Sequence, residues 1–234
     1  MTEQDLAARP DYDYSETDLE PDGSRNTFAV HMLSGSPYSE LVAVNGRPLS
    51  PGQREQEKRK LKEEISRRQQ ESPADRAKRL EEFAKEQKRD QRFVEEFAQA
   101  FNFKLNGERM VGQRRVYVIE ATPDPRFHPT DKESEVLTGM QGILWIDSAS
   151  YHWVRAEAKV IHPVSIEGFL AKVEPGTRFL LEKTPVGNGI WLTSHYSMNA
   201  EAKILSFIPH RRHEDERYFN YHPTVDAEAS DPKQ

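Results

Sequence analysis

The sequence predicts a mainly antiparallel β protein of the α+β class, in which about eleven short strands are interrupted by one helical insertion. Three observations carry this. Gly142–Val160 (GILWIDSASYHWVRAEAKV) reads as two strands joined by a short polar turn. In its second half Val154, Ala156, Ala158 and Val160 alternate with Trp153, Arg155, Glu157 and Lys159, the period-two pattern of a strand with one buried and one wet face. From Asn102 onward further β signals recur between turn residues, whereas between Ser50 and Phe101 the period lengthens to that of a helix. Repeated hairpins imply antiparallel pairing, and a sheet of this many strands has to curl or close.

Taken in order, residues 1–10 read as a flexible acidic lead-in. Asp11–Glu20 alternates Tyr12 and Tyr14 with acidic residues and ends at the turn Pro21-Asp22-Gly23. Thr27–Leu33 and Tyr38–Val44 give two more strands, the latter closed by Asn45-Gly46. Ser50-Pro51-Gly52-Gln53 and Ser72-Pro73-Ala74-Asp75 then each place a capping Ser before a Pro at the first helical position, with a polar acceptor three residues after the Ser. The first helix carries only Leu61 and Ile65 as large apolar residues and belongs on the surface. The second has a stripe of Leu80, Phe83, Ala84, Val94, Phe97, Ala98 and Phe101, so its C-terminal half is expected to pack on a sheet. Arg115–Ala121 is a strand and Thr122–Ser134 a Pro- and charge-rich loop. After the 142–160 hairpin, strands are expected near Gly168–Val173, Arg178–Thr184, Ile190–Met198, Ala202–Ile208 and Arg212–Tyr221, and 224–234 is expected to be a disordered tail.

Composition narrows the function classes. The chain has 234 residues, enough for a proper core. Hydrophobic residues make up 35% and charged residues 31%, but the polarity is local. Residues 53–92 hold 14 Lys/Arg and 10 Asp/Glu, a third of all the charges. Their signs are interleaved (EQEKRKLKEEISRR), the mark of a solvated helix face; a partner-binding helix or a movable lid is the other reading. A net charge of −6 argues against nucleic acid as a partner. The absence of Cys excludes disulfides and thiol chemistry. No apolar run approaches the roughly 18 residues of a membrane-spanning helix. The first residues, MTEQDLAARPDYDY, lack the basic and apolar regions of a signal peptide, which fits either a cytosolic protein or a mature form beginning at an added Met1.

Catalytic and metal motifs find little support. His210-x-x-His213 with Glu214 and Asp215 is the best metal candidate among eight histidines. On a strand, however, residues three apart face opposite sides, so the two do not converge on one ion. No Gly-x-Ser-x-Gly elbow, Walker-type loop or Gly-x-Gly-x-x-Gly run occurs. The chain is read as non-enzymatic, with no cofactor and no metal.

Tyr12–Glu16 (Tyr-x-Tyr-x-Glu), Val44–Ser50 (Val-Asn-Gly-x-Pro-Leu-Ser) and Leu144–Asp147 (Leu-Trp-Ile-Asp) stand in an order and spacing that resembles the LolA/LolB-like lipoprotein-sorting group, and most nearly its exported bacterial members of unassigned role. The resemblance covers roughly residues 11–222. It implies a single domain over 11–223: a curved half-barrel sheet with the insertion of about 50–103 packed on its concave face, leaving an apolar groove. It further implies a periplasmic or otherwise exported protein that binds a lipid, a lipoprotein acyl chain or another hydrophobic ligand, with encounters at a membrane surface. An envelope interaction module with a filled core is the alternative. The groove wall would be Tyr117, Ile119, Trp145, Val154, Phe169, Phe179, Leu181, Trp191 and Tyr196, with the small residues Ala156 and Ala158 leaving room for a ligand tail. The same residues equally suit a core beneath the second helix, with Ala156 and Ala158 admitting it closely.

Overall fold

Among the described residues, thirteen strands and three α-helices account for most of the structure. The computed structural model describes residues 3–130, 132, 134–166, 171–204 and 208–224. The helices are α1 (Glu3–Ala8), α2 (Pro51–Gln69) and α3 (Pro73–Ala100). The strands are β1 (Tyr12–Leu19), β2 (Arg25–Leu33), β3 (Ser36–Val44), β4 (Arg47–Pro48), β5 (Phe101–Val111), β6 (Arg114–Pro123) and β7 (Met140–Asp147). They continue with β8 (Trp153–Val160), β9 (Val164–Ile166), β10 (Ala171–Val173), β11 (Arg178–Gly187), β12 (Ile190–Ile204) and β13 (Ile208–Pro223). The hydrogen-bonded order is β4-β3-β2-β1-β13-β12-β11-β8-β7-β6-β5, with β10 beside β12 and β9 beside β10. β4 and β5 end the order, so the sheet is open, and the pairings are antiparallel as the hairpin pattern predicts.

The strands differ in detail from their expected bounds. β5 runs unbroken through Asn106-Gly107, where the sequence suggests a turn; a register shift between Leu105 and Glu108 absorbs Gly107 as a bulge with φ +92°. β12 continues through the expected break after Met198. The expected strand near Gly168–Val173 is described only over Ala171–Val173, and the tail from residue 225 lies outside the described residues, as does 205–207.

The chain divides into two compact units, one built on Arg89–Asp215, the other on Gln4–Lys88 with the segment from Glu216. In the second unit Ser34 and Gly35, both at positive φ, turn β2 into β3, and Asn45 and Gly46 do the same between β3 and β4. Ser50 and Gln53 form the capping box that starts α2. Arg68, near the end of α2, is buried: its guanidinium donates to the carbonyls of Leu33 (2.7 Å), Ser36 (2.7 Å) and Pro37 (3.1 Å), and to Glu64 (2.5 Å). Arg79 of α3 donates to Ser36 Oγ at 2.7 Å and pairs with Glu71. Two arginines therefore clip the helical hairpin to the β2–β3 turn.

In the first unit the last turns of α3 bring Phe93, Phe97 and Ala100 onto a core of Phe101, Ala121, Leu137, Met140 and Val160. Ala158 and Phe179 pack against that core. The expectation that the second helix packs its C-terminal half on a sheet is met. Trp153 departs from its expected wet side. A register shift between Trp145 and Ile146 places it opposite Ile146, and its ring lies 5.2 Å from that of Phe97. The bulge reverses the alternation at that one position.

Candidate functional site

Because paired residues in adjacent strands project to the same side, the registers of β6, β7, β8, β11 and β12 sort the first unit's side chains into two faces. On the α3 side lie the rows Ile119–Leu144–Ala156–Leu181–Tyr196 and Ala121–Gly142–Ala158–Phe179–Met198. On the other side lie Gln141–Lys159–Arg178–Asn199 and Ile143–Glu157–Leu180–Ser197. These last two rows line a trough of about 550 Å³, to which Gly142, Ala158 and Phe179 also contribute. The volume falls within the roughly 300–1,000 Å³ of small-molecule sites.

The trough is amphipathic. Ile143 and Leu180 are its apolar floor, and the stems of Lys159 and Arg178 add methylenes beneath their charges. One further row bounds it: Trp145, Arg155, Glu182 and His195 stand side by side on β7, β8, β11 and β12. Arg155 lies over the Trp145 ring with its Cζ 5.6 Å from the centroid, donates to Glu157 through Nε at 2.8 Å, and reaches Glu182 through Nη1 at 2.8 Å. His195 is buried, with Nδ1 3.4 Å from Glu182 and Nε2 3.1 Å from Asp215. Ser197 follows two residues later on the same strand. Both imidazole nitrogens already face carboxylates, so neither is turned to Ser197 as a general base, and the geometry is that of a fixed polar rim.

The residues expected to wall a groove distribute as follows. Tyr117, Ile119, Ala156, Ala158, Phe179, Leu181 and Tyr196 share the α3 side, where Ala158 and Phe179 join the core under the helix and the Tyr117 ring stacks 6.3 Å from Tyr151. Trp145 is on the opposite side, under Arg155. Val154 sits at the register shift of β8. Trp191 is buried, stacked 5.5 Å from His152 and beneath Arg114 at 4.8 Å. Phe169 lies outside the described residues. Of the described residues in this set, Ala158 and Phe179 also touch the trough, and Glu157 and Lys159 of its lining belong to the face that the alternation of β8 predicts to be wet. The signal that finds them is the same alternation read at the other parity.

A second polar cluster belongs to the other unit and is built by the Tyr-x-Tyr-x-Glu stretch. On β1 and β13, Glu16 lies opposite Tyr218 and Asp18 opposite Glu216. The Tyr218 hydroxyl donates to Glu216 at 2.5 Å, and the Tyr14 ring stands 5.9 Å from Tyr218 and 5.3 Å from Tyr221. Burial, then the charges of Asp18 and Glu216, push Glu16 up to about 7. Burial and the Glu216 charge push Asp18 up to about 6, and burial raises all three tyrosines. His210 and His213 are exposed on β13, and among the described residues no group of three His, Cys, Asp or Glu side chains is placed to hold a metal ion. No described helix is long and apolar enough to cross a membrane.

No family model matches the sequence, and no curated protein matches it. Among solved structures the chain is similar to a putative outer membrane lipoprotein-sorting protein domain from Vibrio parahaemolyticus, at 13% identity and a TM-score of 0.30 over 54% of this chain. It spans 43% of that protein's length, less than half. It is also similar to a DUF1329 family protein from Desulfovibrio piger, at 10% identity and a TM-score of 0.30, covering 94% of this chain and 91% of the other. A chain of the Pseudomonas aeruginosa MucA/MucB complex is similar at 11% identity and a TM-score of 0.23, covering 95% and 97%.

Proposed function

We propose that this chain is a non-enzymatic binding protein of the bacterial envelope that holds a lipid, acyl chain or similar amphiphile in the trough on β7, β8, β11 and β12. The supporting observation is the 550 Å³ trough itself, with its floor of Ile143 and Leu180. Burial of apolar ligand surface at about 25 cal/mol per Å² would drive uptake. A chain of about a dozen methylenes at roughly 0.8 kcal/mol each retains useful affinity after the cost of association. The exported location follows from the sequence resemblance. Native mass spectrometry of protein purified without delipidation tests the reading: a ligand adduct is expected in the wild type and lost in Leu180→Glu. A clean apo mass under gentle conditions refutes it.

The second reading, an interaction module, is favoured by one different observation. β5 ends the strand order, and Phe103, Leu105 and Met110 on it are 44%, 59% and 62% exposed. Apolar side chains beside unpaired backbone groups suit the addition of a strand from another protein. Leu105→Lys would abolish such an association and leave trough binding intact.

A further inference from the structure

The rows of the trough side differ in how they pair their charges. In the bounding row, Arg155 stands opposite Glu182 and is bonded to it, the stabilising arrangement for a two-strand ladder. Two rows along, Lys159 stands directly opposite Arg178. Like charges so placed repel. Neither has a carboxylate within ion-pair distance among the described residues, and both are exposed at the trough. The one acidic side chain in the lining, Glu157, is bound by Arg155 and turned toward the rim. Gln141 and Asn199 complete the row on either side of the two cations, each with an amide N–H₂ to donate.

Four donors in one row, two of them cationic and unneutralised, are complementary to a single anionic group. We propose that the Gln141–Lys159–Arg178–Asn199 row binds the anionic end of the trough's ligand, a carboxylate or phosphate, seated between Lys159 and Arg178. The apolar part of the ligand then lies over Ile143 and Leu180, the next row along. This inference rests on the trough reading and specifies the ligand class. Arg178 offers a planar fork suited to two oxygens of one anion, and Lys159 a point charge beside it.

The test uses four probes on the full chain by calorimetry: dodecyl phosphate, dodecanoate, dodecanol and inorganic phosphate. The wild type is expected to bind the two anionic amphiphiles about tenfold or more tightly than dodecanol, the scale of one charge-assisted hydrogen bond. That margin should shrink with added salt. In Lys159→Gln/Arg178→Gln the margin should disappear while dodecanol affinity holds, and thermal stability should not fall, since a repulsion is removed. The single variants should each lose part of the margin. Dodecanol bound as tightly as the anions, or a double variant that keeps the margin, overturns the anion site and leaves the trough reading standing. Inorganic phosphate that competes at concentrations close to those of dodecyl phosphate shows that the dodecyl chain adds nothing, and overturns the placing of an amphiphile over Ile143 and Leu180. Failure of all four probes to bind refutes the anion site and the trough reading together.

Discussion

Ala158→Trp separates the two faces of β8 most sharply. Ala158 lies opposite Gly142 on β7 and Phe179 on β11, and packs on the core that Phe93, Phe97 and Ala100 of α3 complete. A Cβ placed on Gly142 would already stand 3.4 Å from that of Ala158, so the row has no slack between its strands. An indole at 158 has to push against Phe179 or lift the end of α3. Overpacking of this kind costs about 1–3 kcal/mol. At about 2–4 °C per kcal/mol for a chain of this size, melting followed by circular dichroism should fall by several degrees. The folded fraction should still bind dodecyl phosphate, because Lys159 and Leu180 project to the other side. Leu180→Trp is the mirror experiment: it should block the probe and leave melting nearly unchanged. An Ala158→Trp protein that melts normally and loses the probe would refute the reasoning, because the side chain would then occupy the trough and the assignment of faces would be reversed.

Three further outcomes are expected. Glu16 holds its proton more tightly in the folded chain than in the unfolded one, so the stability this contributes is complete below about pH 4.5 and is lost as the pH rises through about 7; Glu16→Gln should remove that slope and gain about 1–3 kcal/mol at pH 8 in urea melts, whereas an unchanged slope would refute the burial of this carboxyl. Arg68→Met should destabilise by about 3–5 kcal/mol, because it leaves Glu64 and the carbonyls of Leu33, Ser36 and Pro37 without their buried donor, and a loss under about 1 kcal/mol would show that water replaces the guanidinium. Gly142→Ala should cost about 1–3 kcal/mol, since the new methyl would meet the Glu157 carbonyl oxygen at 2.6 Å; Ala158→Gly should fail to rescue it, because the opposing atom is backbone.

The fold class was legible because it is written in periodicity. The alternation from Val154 to Val160 and the stripe through Phe97 report which side of each element is buried, and α3 does cover that side of the sheet. What escaped the pattern are events that shift parity without changing composition. The shift beside Trp145 turns Trp153 inward, and Asn106-Gly107, which reads as a turn, is a bulge inside β5. The groove was expected on the apolar side for the same reason. Apolar residues at one parity are equally consistent with a ligand wall and with a helix-covered core, and Ala158 and Phe179 pack against the core.

The trough escaped for a different reason. A polar row over water and a polar row lining a depression have the same sequence, and only their registers tell them apart. A solvated face relieves itself by alternating sign, as α2 does with Lys58–Glu55, Lys60–Glu57 and Arg67–Glu64, and as Arg155–Glu182 does across two strands. Interleaving therefore identified the α2 charges correctly from sequence, apart from Arg68, which turns inward. Lys159 and Arg178 are 19 positions apart and look unremarkable singly. Their opposition exists only once β8 pairs with β11, and there the rule of alternating sign is broken, with no acid among the described residues drawn in to repair it. A ladder that neutralises Arg155 twice, through Glu157 and Glu182, yet leaves its two neighbouring cations facing each other, has its acids on the wrong side of the row for stability alone. The anionic end of the proposed ligand, seated between Lys159 and Arg178, would restore the balance.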